Sequence, residues 1–184
     1  YSDITVFSFH PVKIITTGEG GMCLTNDPNL AILLNRFRSH GIVRQASEMT
    51  HIPDGPWYYQ QIDLGFNYRM TDINAALGLS QMQRLDEFVK RRHSIAEYYN
   101  NTLSKNPSII TPYQHPDTYS AYHLYIIRLK RINKGETHLQ MFEKLRSAGI
   151  LVNLHYIPVY QHPYYQNLGF NKDHFPESEA YYSE

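Results

Sequence analysis

Lys13 is the residue in this chain best placed for covalent chemistry. It lies five residues after Ser8 in the stretch Phe7-Ser8-Phe9-His10-Pro11-Val12-Lys13-Ile14-Ile15-Thr16-Thr17-Gly18-Glu19-Gly20-Gly21. A lysine attacks a carbonyl only as the free amine, and apolar flanks such as Val12 and Ile14 disfavour an ammonium by desolvation. Ser8, at the end of a strand-like run, carries a hydroxyl that can donate to an anionic oxygen. The Gly-Glu-Gly-Gly that follows permits backbone conformations closed to other residues and lets a second surface come close. Taken singly, each has an ordinary reading: a solvated charge, a strand-terminal serine, a turn. Together they make Lys13 a candidate nucleophile, and the residues alone go no further.

The elements that must position this stretch follow from pattern. Asp3 to Phe9 alternates and is rich in β-branched and aromatic residues, so it reads as a strand that Pro11 closes. A second strand runs from Gly21 to Thr25. Asp27 caps a helix from Asn29 to Arg38, with Pro28 in its first turn and Gly41 as its stop. Arg44 to Gln61 has loop chemistry and no sustained period. From Thr71, apolar residues recur at steps of three and four for longer than one helix usually runs. We therefore expect two helices or one bent helix, with the boundary near Arg84 to Glu87. Pro107 and Pro112 bracket a short strand. Ala121 to Leu129 reads as a strand with His123, Tyr125, Ile127 and Leu129 on one face. A helix from Glu136 to Ala148 places Leu139, Phe142 and Leu145 at helical spacing, with Gly149 as its stop. Ile150 to Leu154 reads as a further strand. The order suggests α/β architecture in two parts, residues 1–84 and 85–184.

Bulk properties narrow the function. The 184 residues carry no formal net charge, and Lys90-Arg91-Arg92 is the nearest approach to a basic block, so nothing points to nucleic acid. No apolar run is long enough for a membrane span, and the first residues read as a strand rather than a signal peptide. A single cysteine, Cys23, rules out an intrachain disulfide, and a cytoplasmic setting is the simplest expectation. The ten histidines show no His-x-x-x-His spacing, so no metal is expected. Sixteen tyrosines suit half-buried packing, interfaces or sugar-contacting pockets. The chain starts inside a strand and stops in what reads as the opening of a helix, so we expect a fragment of a longer protein.

The pattern Ser-Phe-His-x-x-Lys-x-x-Thr-Thr-Gly-Glu-Gly-Gly resembles the lysine motif of the DegT/DnrJ/EryC1/StrS family of sugar aminotransferases. A second block agrees: Gly65-Phe66-Asn67-Tyr68-Arg69-Met70-Thr71-Asp72-Ile73-Asn74-Ala75-Ala76-Leu77-Gly78 is similar to the family's G-x-N-x-R-M segment and the helix after it. The resemblance covers nearly the whole chain. Within the family, His10-Pro11-Val12-Lys13 and Asn153 to Tyr160 are most similar to the transaminases that make UDP-4-amino-4,6-dideoxy-N-acetyl-β-L-altrosamine, a pseudaminic acid precursor.

The resemblance implies part of the large domain and most of the small C-terminal domain of a fold-type-I transferase that depends on pyridoxal 5′-phosphate (PLP). It implies that Lys13 holds the cofactor as a Schiff base and then shuttles a proton, while Ser8 and Asn67 bind its phosphate. Asn67 would act from the neighbouring subunit of a homodimer with shared sites. Unaided, Asn67 reads as a turn residue. Arg69 is open between a contact to substrate or the opposite subunit and a structural ion pair. His155, Tyr156, Ile157, Pro158 and Tyr160 read as substrate-contacting, with His155 and Tyr156 able to bond sugar hydroxyls or a nucleotide diphosphate. A satisfied, half-buried histidine is the alternative for His155.

The implied reaction moves an amino group from glutamate to the C4 ketone of a nucleotide-linked, UDP-type 4-keto-6-deoxy sugar. Family residues that pair with the PLP ring lie upstream of the motif lysine, so the chain by itself is expected to be inactive. Two alternatives stand beside this reading. One is a related sugar dehydratase, which carries histidine where Lys13 stands; the other is a non-catalytic sugar-binding or dimerisation module.

Overall fold

Thr5–Ser8 (β1) and Gly21–Leu24 (β2) pair antiparallel in the computed structural model, which describes residues 2–130 and 138–184. The register sets Ser8 opposite Gly21, so the intervening loop, which carries Lys13, leaves the hairpin at Ser8 and returns to it at Gly21. A Cβ on Gly21 would meet the Phe7 carbonyl oxygen at 2.7 Å, which is why the return needs glycine.

Pro28–Arg38 forms α1. The Asp27 carboxylate accepts from the amides of Asn29 at 2.7 Å and Leu30 at 3.3 Å, two donors that the helix cannot satisfy itself. After α1 the backbone turns through positive φ at His40 and Gly41. A Cβ on Gly41 would sit 1.9 Å from the Asp63 carbonyl oxygen, so only glycine lets these strands of chain touch. That contact brings Ile42–Val43 (β3) against Gln60–Gln61 (β4), antiparallel, and Ser39 against Asn67 as an isolated bridge.

The loop between β3 and β4 contains a 3-10 turn, Ala46–Glu48. Its stem is held by Gln60, which is buried. The Gln60 Oε1 accepts from the Thr50 amide at 2.8 Å, and its Nε2 lies 2.8 Å from His51 Nδ1. Arg36 anchors the same region, pairing with Asp63 at 3.0 Å and Glu48 at 3.2 Å.

The long periodic stretch is two helices. Asp72–Met82 (α2) begins at the N-cap Thr71, and Leu85–Leu103 (α3) starts after a break at Gln83-Arg84. The chain divides into two compact units, Tyr1–Val89 and Lys90–Glu184, so α3 runs from one into the other. None of the described helices is long and apolar enough to cross a membrane.

In the second unit, Ile109–Ile110 (β5) pairs antiparallel with Arg128–Leu129 (β6). His138–Ser147 (α4), Pro163–Asn167 (α5) and Pro176–Tyr182 (α6) follow. Gly149 ends the α4 region at φ +79, donating to the Arg146 carbonyl at 3.0 Å. The expected start of that helix at Glu136 lies outside the described residues.

Two expected strands are corrected. Of Ala121 to Leu129, only Arg128–Leu129 is in a ladder. Tyr122 has φ +47, and the carbonyls of Tyr122 and His123 accept from Arg92 Nη1 at 2.8 and 3.2 Å. A side chain of α3 thus takes the acceptors that a neighbouring strand would have used. Ile150 to Leu154 forms no ladder among the described residues. The Leu154 amide donates locally to Asn153 Oδ1 at 3.1 Å, and an extended run without a partner stays irregular.

Candidate active site

The loop between β1 and β2 is closed at its base by backbone bonds. Phe9 N donates to Gly20 O at 2.9 Å and Thr17 N to Phe9 O at 3.0 Å. Lys13 sits half-buried at the far side, its own amide donating to His10 O at 2.9 Å. Val12 is 60% exposed, which corrects the expectation that both flanking residues desolvate the amine. A Val-Lys-Ile run in a turn cannot put both apolar side chains on its inner side, and here only Ile14 is half-buried.

Ser8 ends β1 with its Oγ exposed, accepting a long 3.5 Å bond from the His10 amide. That leaves the hydroxyl proton for an incoming anion. A serine donor at a strand end, five residues before a half-buried lysine, fits the phosphate and aldehyde ends of PLP.

Beyond Lys13 the loop packs on α2. Thr17 is buried, and its hydroxyl donates to Glu19 O at 2.7 Å. A Cβ on Gly78 of α2 would stand 2.8 Å from Thr17 Cγ2. A Cβ on Gly20, at φ +146, would meet Thr17 Oγ1 at 2.6 Å and Met70 Cε at 2.8 Å. The amide nitrogen of Asn74 donates to the Thr17 carbonyl, and its Oδ1 accepts from the Thr71 hydroxyl. The two segments that resemble family motifs therefore meet within the first unit.

Asn67 is exposed and held by bonds on either side of its bridge with Ser39. His40 N donates to Phe66 O at 2.9 Å and Tyr68 N to Arg38 O at 3.0 Å. Arg69 is exposed and makes no ion pair among the described residues. It lines an open cleft of about 1030 Å³ together with Arg36, Arg38, His40 and Arg44.

The other candidates belong to the second unit. His155 is exposed rather than half-buried, and Tyr156 is 59% and Ile157 41% exposed, with Pro158 half-buried. Tyr160 differs from them. It is buried in the 3-10 turn Val159–Gln161, its ring stacks on Phe175 at 4.5 Å, and its hydroxyl donates to Glu179 Oε1 at 2.8 Å. Within this unit its polar tip is committed to Glu179 and its ring is covered by Phe175. Burial, then the bond to Glu179, pushes its phenol up to about 12. The same bond, with one from Gln161, holds the Glu179 carboxyl below its ordinary value.

Sequence reasoning missed Asn74, Gly78 and Glu179 as organisers of these segments. Thr71-x-x-Asn74 at a helix start was a signal for the first, since such pairs cap helices. Among the described residues, no group of three His, Cys, Asp or Glu side chains could hold a metal.

Comparison with known proteins defines the class. The model of the DegT/DnrJ/EryC1/StrS aminotransferase family matches residues 1–184. This chain belongs to that family. It is 38% identical over 182 residues to the spore coat polysaccharide biosynthesis protein SpsC of Bacillus subtilis, covering 98% of this chain and 46% of that protein. It is 37% identical over 170 residues to the UDP-4-amino-4,6-dideoxy-N-acetyl-beta-L-altrosamine transaminase of Campylobacter jejuni, covering 91% and 42%. Among solved structures it is similar to the putative sugar aminotransferase Spr1654 of Streptococcus pneumoniae. The PMP form superposes with TM-score 0.85 at 30% identity over 100% of this chain and 47% of that one. The PLP form does so with TM-score 0.83 at 29% identity, covering 100% and 45%. The fold is accordingly part of a fold-type-I, PLP-dependent transferase. The chain spans about half the length of the relatives it matches.

Proposed function

We propose that the intact protein is a PLP-dependent aminotransferase that moves the amino group of glutamate to the C4 ketone of a UDP-linked 4-keto-6-deoxy sugar. The observation that carries this reading is the half-buried Lys13 on a loop tied by Asn74 to the segment that bears Asn67 and Arg69. When bound, PLP supplies the electron sink. Lys13 offers the amine that holds the cofactor and later moves a proton from the donor's α-carbon. The Ser8 hydroxyl donates to the cofactor phosphate, and Asn67 does so across the interface of a homodimer. Arg69, beside Arg38 and Arg44 in the open cleft, meets an anionic part of the substrate. His155, Tyr156, Ile157 and Pro158 meet the sugar or its diphosphate, and Tyr160 holds that segment in place.

The likeness to the Campylobacter transaminase supports the choice of sugar. In this reading residues 1–84 belong to the large domain and 85–184 to the small one, and the enzyme works in the cytoplasm. The test is amino transfer by the intact enzyme from ¹⁵N-glutamate to a UDP-4-keto-6-deoxy-N-acetylhexosamine. The label is expected at C4 with wild type and absent with Lys13→Ala. Label transfer by Lys13→Ala, or none by wild type, contradicts the assignment.

A further inference from the structure

We infer that Asn74 is a positioning residue for Lys13, its side-chain amide fixing the lysine-bearing loop against the first turn of α2. This rests on the reading of Lys13 given above. The bonds at the base of the loop fix its two ends to the hairpin, but a loop anchored only there can still tilt. Asn74 supplies a second anchor, on a rigid helix. Its Nδ2 donates to the Thr17 carbonyl and, more weakly, to Glu19 O at 3.5 Å. Thr17 lies four residues past Lys13 and is buried, so its carbonyl has little access to water in place of this donor.

The orientation of the amide is determined by its other end. Asn74 Oδ1 accepts from the Thr71 hydroxyl, while the Asn74 backbone amide donates back to Thr71 Oγ1 at 3.2 Å. Turned over, the amide would set its oxygen against the Thr17 carbonyl, acceptor against acceptor. Glycines make the approach possible. Gly18, at φ +82, leaves its Cβ position 3.5 Å from Asn74 Nδ2, and Gly78 makes room for Thr17 Cγ2. One side chain therefore does two things: it completes the cap of α2, and it sets the height of the lysine loop.

These two roles separate cleanly, because Asn74 occupies the third helical position after Thr71. Asn74→Asp preserves shape and the acceptor for Thr71, and a carboxylate in a first helical turn is favourable to the helix. It also turns an acceptor toward the Thr17 and Glu19 carbonyls. A capping role alone leaves the variant with wild-type chemistry; a positioning role does not.

The experiment uses the intact enzyme loaded with PLP, following visible absorbance against pH together with kcat and KM for glutamate. Asn74→Asp is expected to fold, with a lower melting temperature from the unpaired Thr17 carbonyl, and to retain a visible band whose titration midpoint has moved. Its kcat is expected to fall by about tenfold to a hundredfold, as small misplacements of a reacting group do, with KM for glutamate changing far less. Asn74→Ala, which removes the donor without adding charge, is expected to move the midpoint and kcat as well. A wild-type titration and kcat in both variants overturns the inference. Lys13→Ala, run alongside, should lose the band. A band that persists there overturns the reading of Lys13 itself, which distinguishes that failure from failure of the Asn74 role.

Discussion

At the scale of single residues, Tyr160 shows how a side chain can be held by partners that its local sequence does not reveal. Its neighbours along the chain are exposed, yet its hydroxyl is bound to Glu179, nineteen residues away, and its ring lies on Phe175. No local pattern carries that pairing. The loop that joins Ser8 to Lys13 is legible because it is local; the partner of Thr17 is not, because Asn74 lies 57 positions on. The Tyr160–Glu179 pair has a definite pH signature. The phenol is raised from an ordinary 10.0 to about 12 in the folded protein, so its contribution is complete below pH 10 and is lost as pH rises through 12. The Glu179 carboxyl is lowered from 4.5, so its contribution is present above that value and is lost as pH falls through the folded one. Tyr160→Phe should lower the melting temperature by a few degrees at neutral pH and flatten its fall between pH 10 and 12. Melting curves of both proteins across that range check this, and parallel curves would contradict it.

At the scale of elements, the readable features are those that one turn of chain determines by itself. The Asp27 cap, the break after α2 and the Gly149 stop are all local, and all appear in the structure. The strands expected at Ala121 to Leu129 and Ile150 to Leu154 were unreadable for the opposite reason. A strand exists only with a partner, and Arg92 or local bonds take the backbone groups first. Asp27→Ala should cost about 1 kcal/mol of stability through the lost cap, with no change in amino transfer. Gly78→Ala sets two effects against each other. Helix propensity favours alanine by about 1 kcal/mol in an open helix. Here, however, the new methyl would stand 2.8 Å from Thr17 Cγ2. We expect the clash to win, with loss of stability and a larger loss of cofactor affinity, read by thermal unfolding and PLP titration. A more stable variant with wild-type affinity would show that the loop tolerates a different height.

At the scale of the molecule, the chain leaves much apolar surface uncovered. Its accessible area is 14587 Å². Two separate compact units, each of half the 21.6 kDa mass, would together expose only about 11,000 Å². Ile73 is 85% exposed, Val6 71% and Leu79 70%, on the same elements that carry and support the lysine loop. The 184 residues produced by themselves should self-associate and bind an apolar dye, and should not turn over with PLP and glutamate. Light scattering and dye fluorescence check the first, and robust turnover would contradict the second. The central claim is that one ε-amine condenses with the cofactor. Reduction of the PLP-loaded intact enzyme with borohydride, followed by peptide mapping, measures this most directly. We predict a single pyridoxyl adduct on Lys13. An adduct on another lysine, or none, would contradict the account.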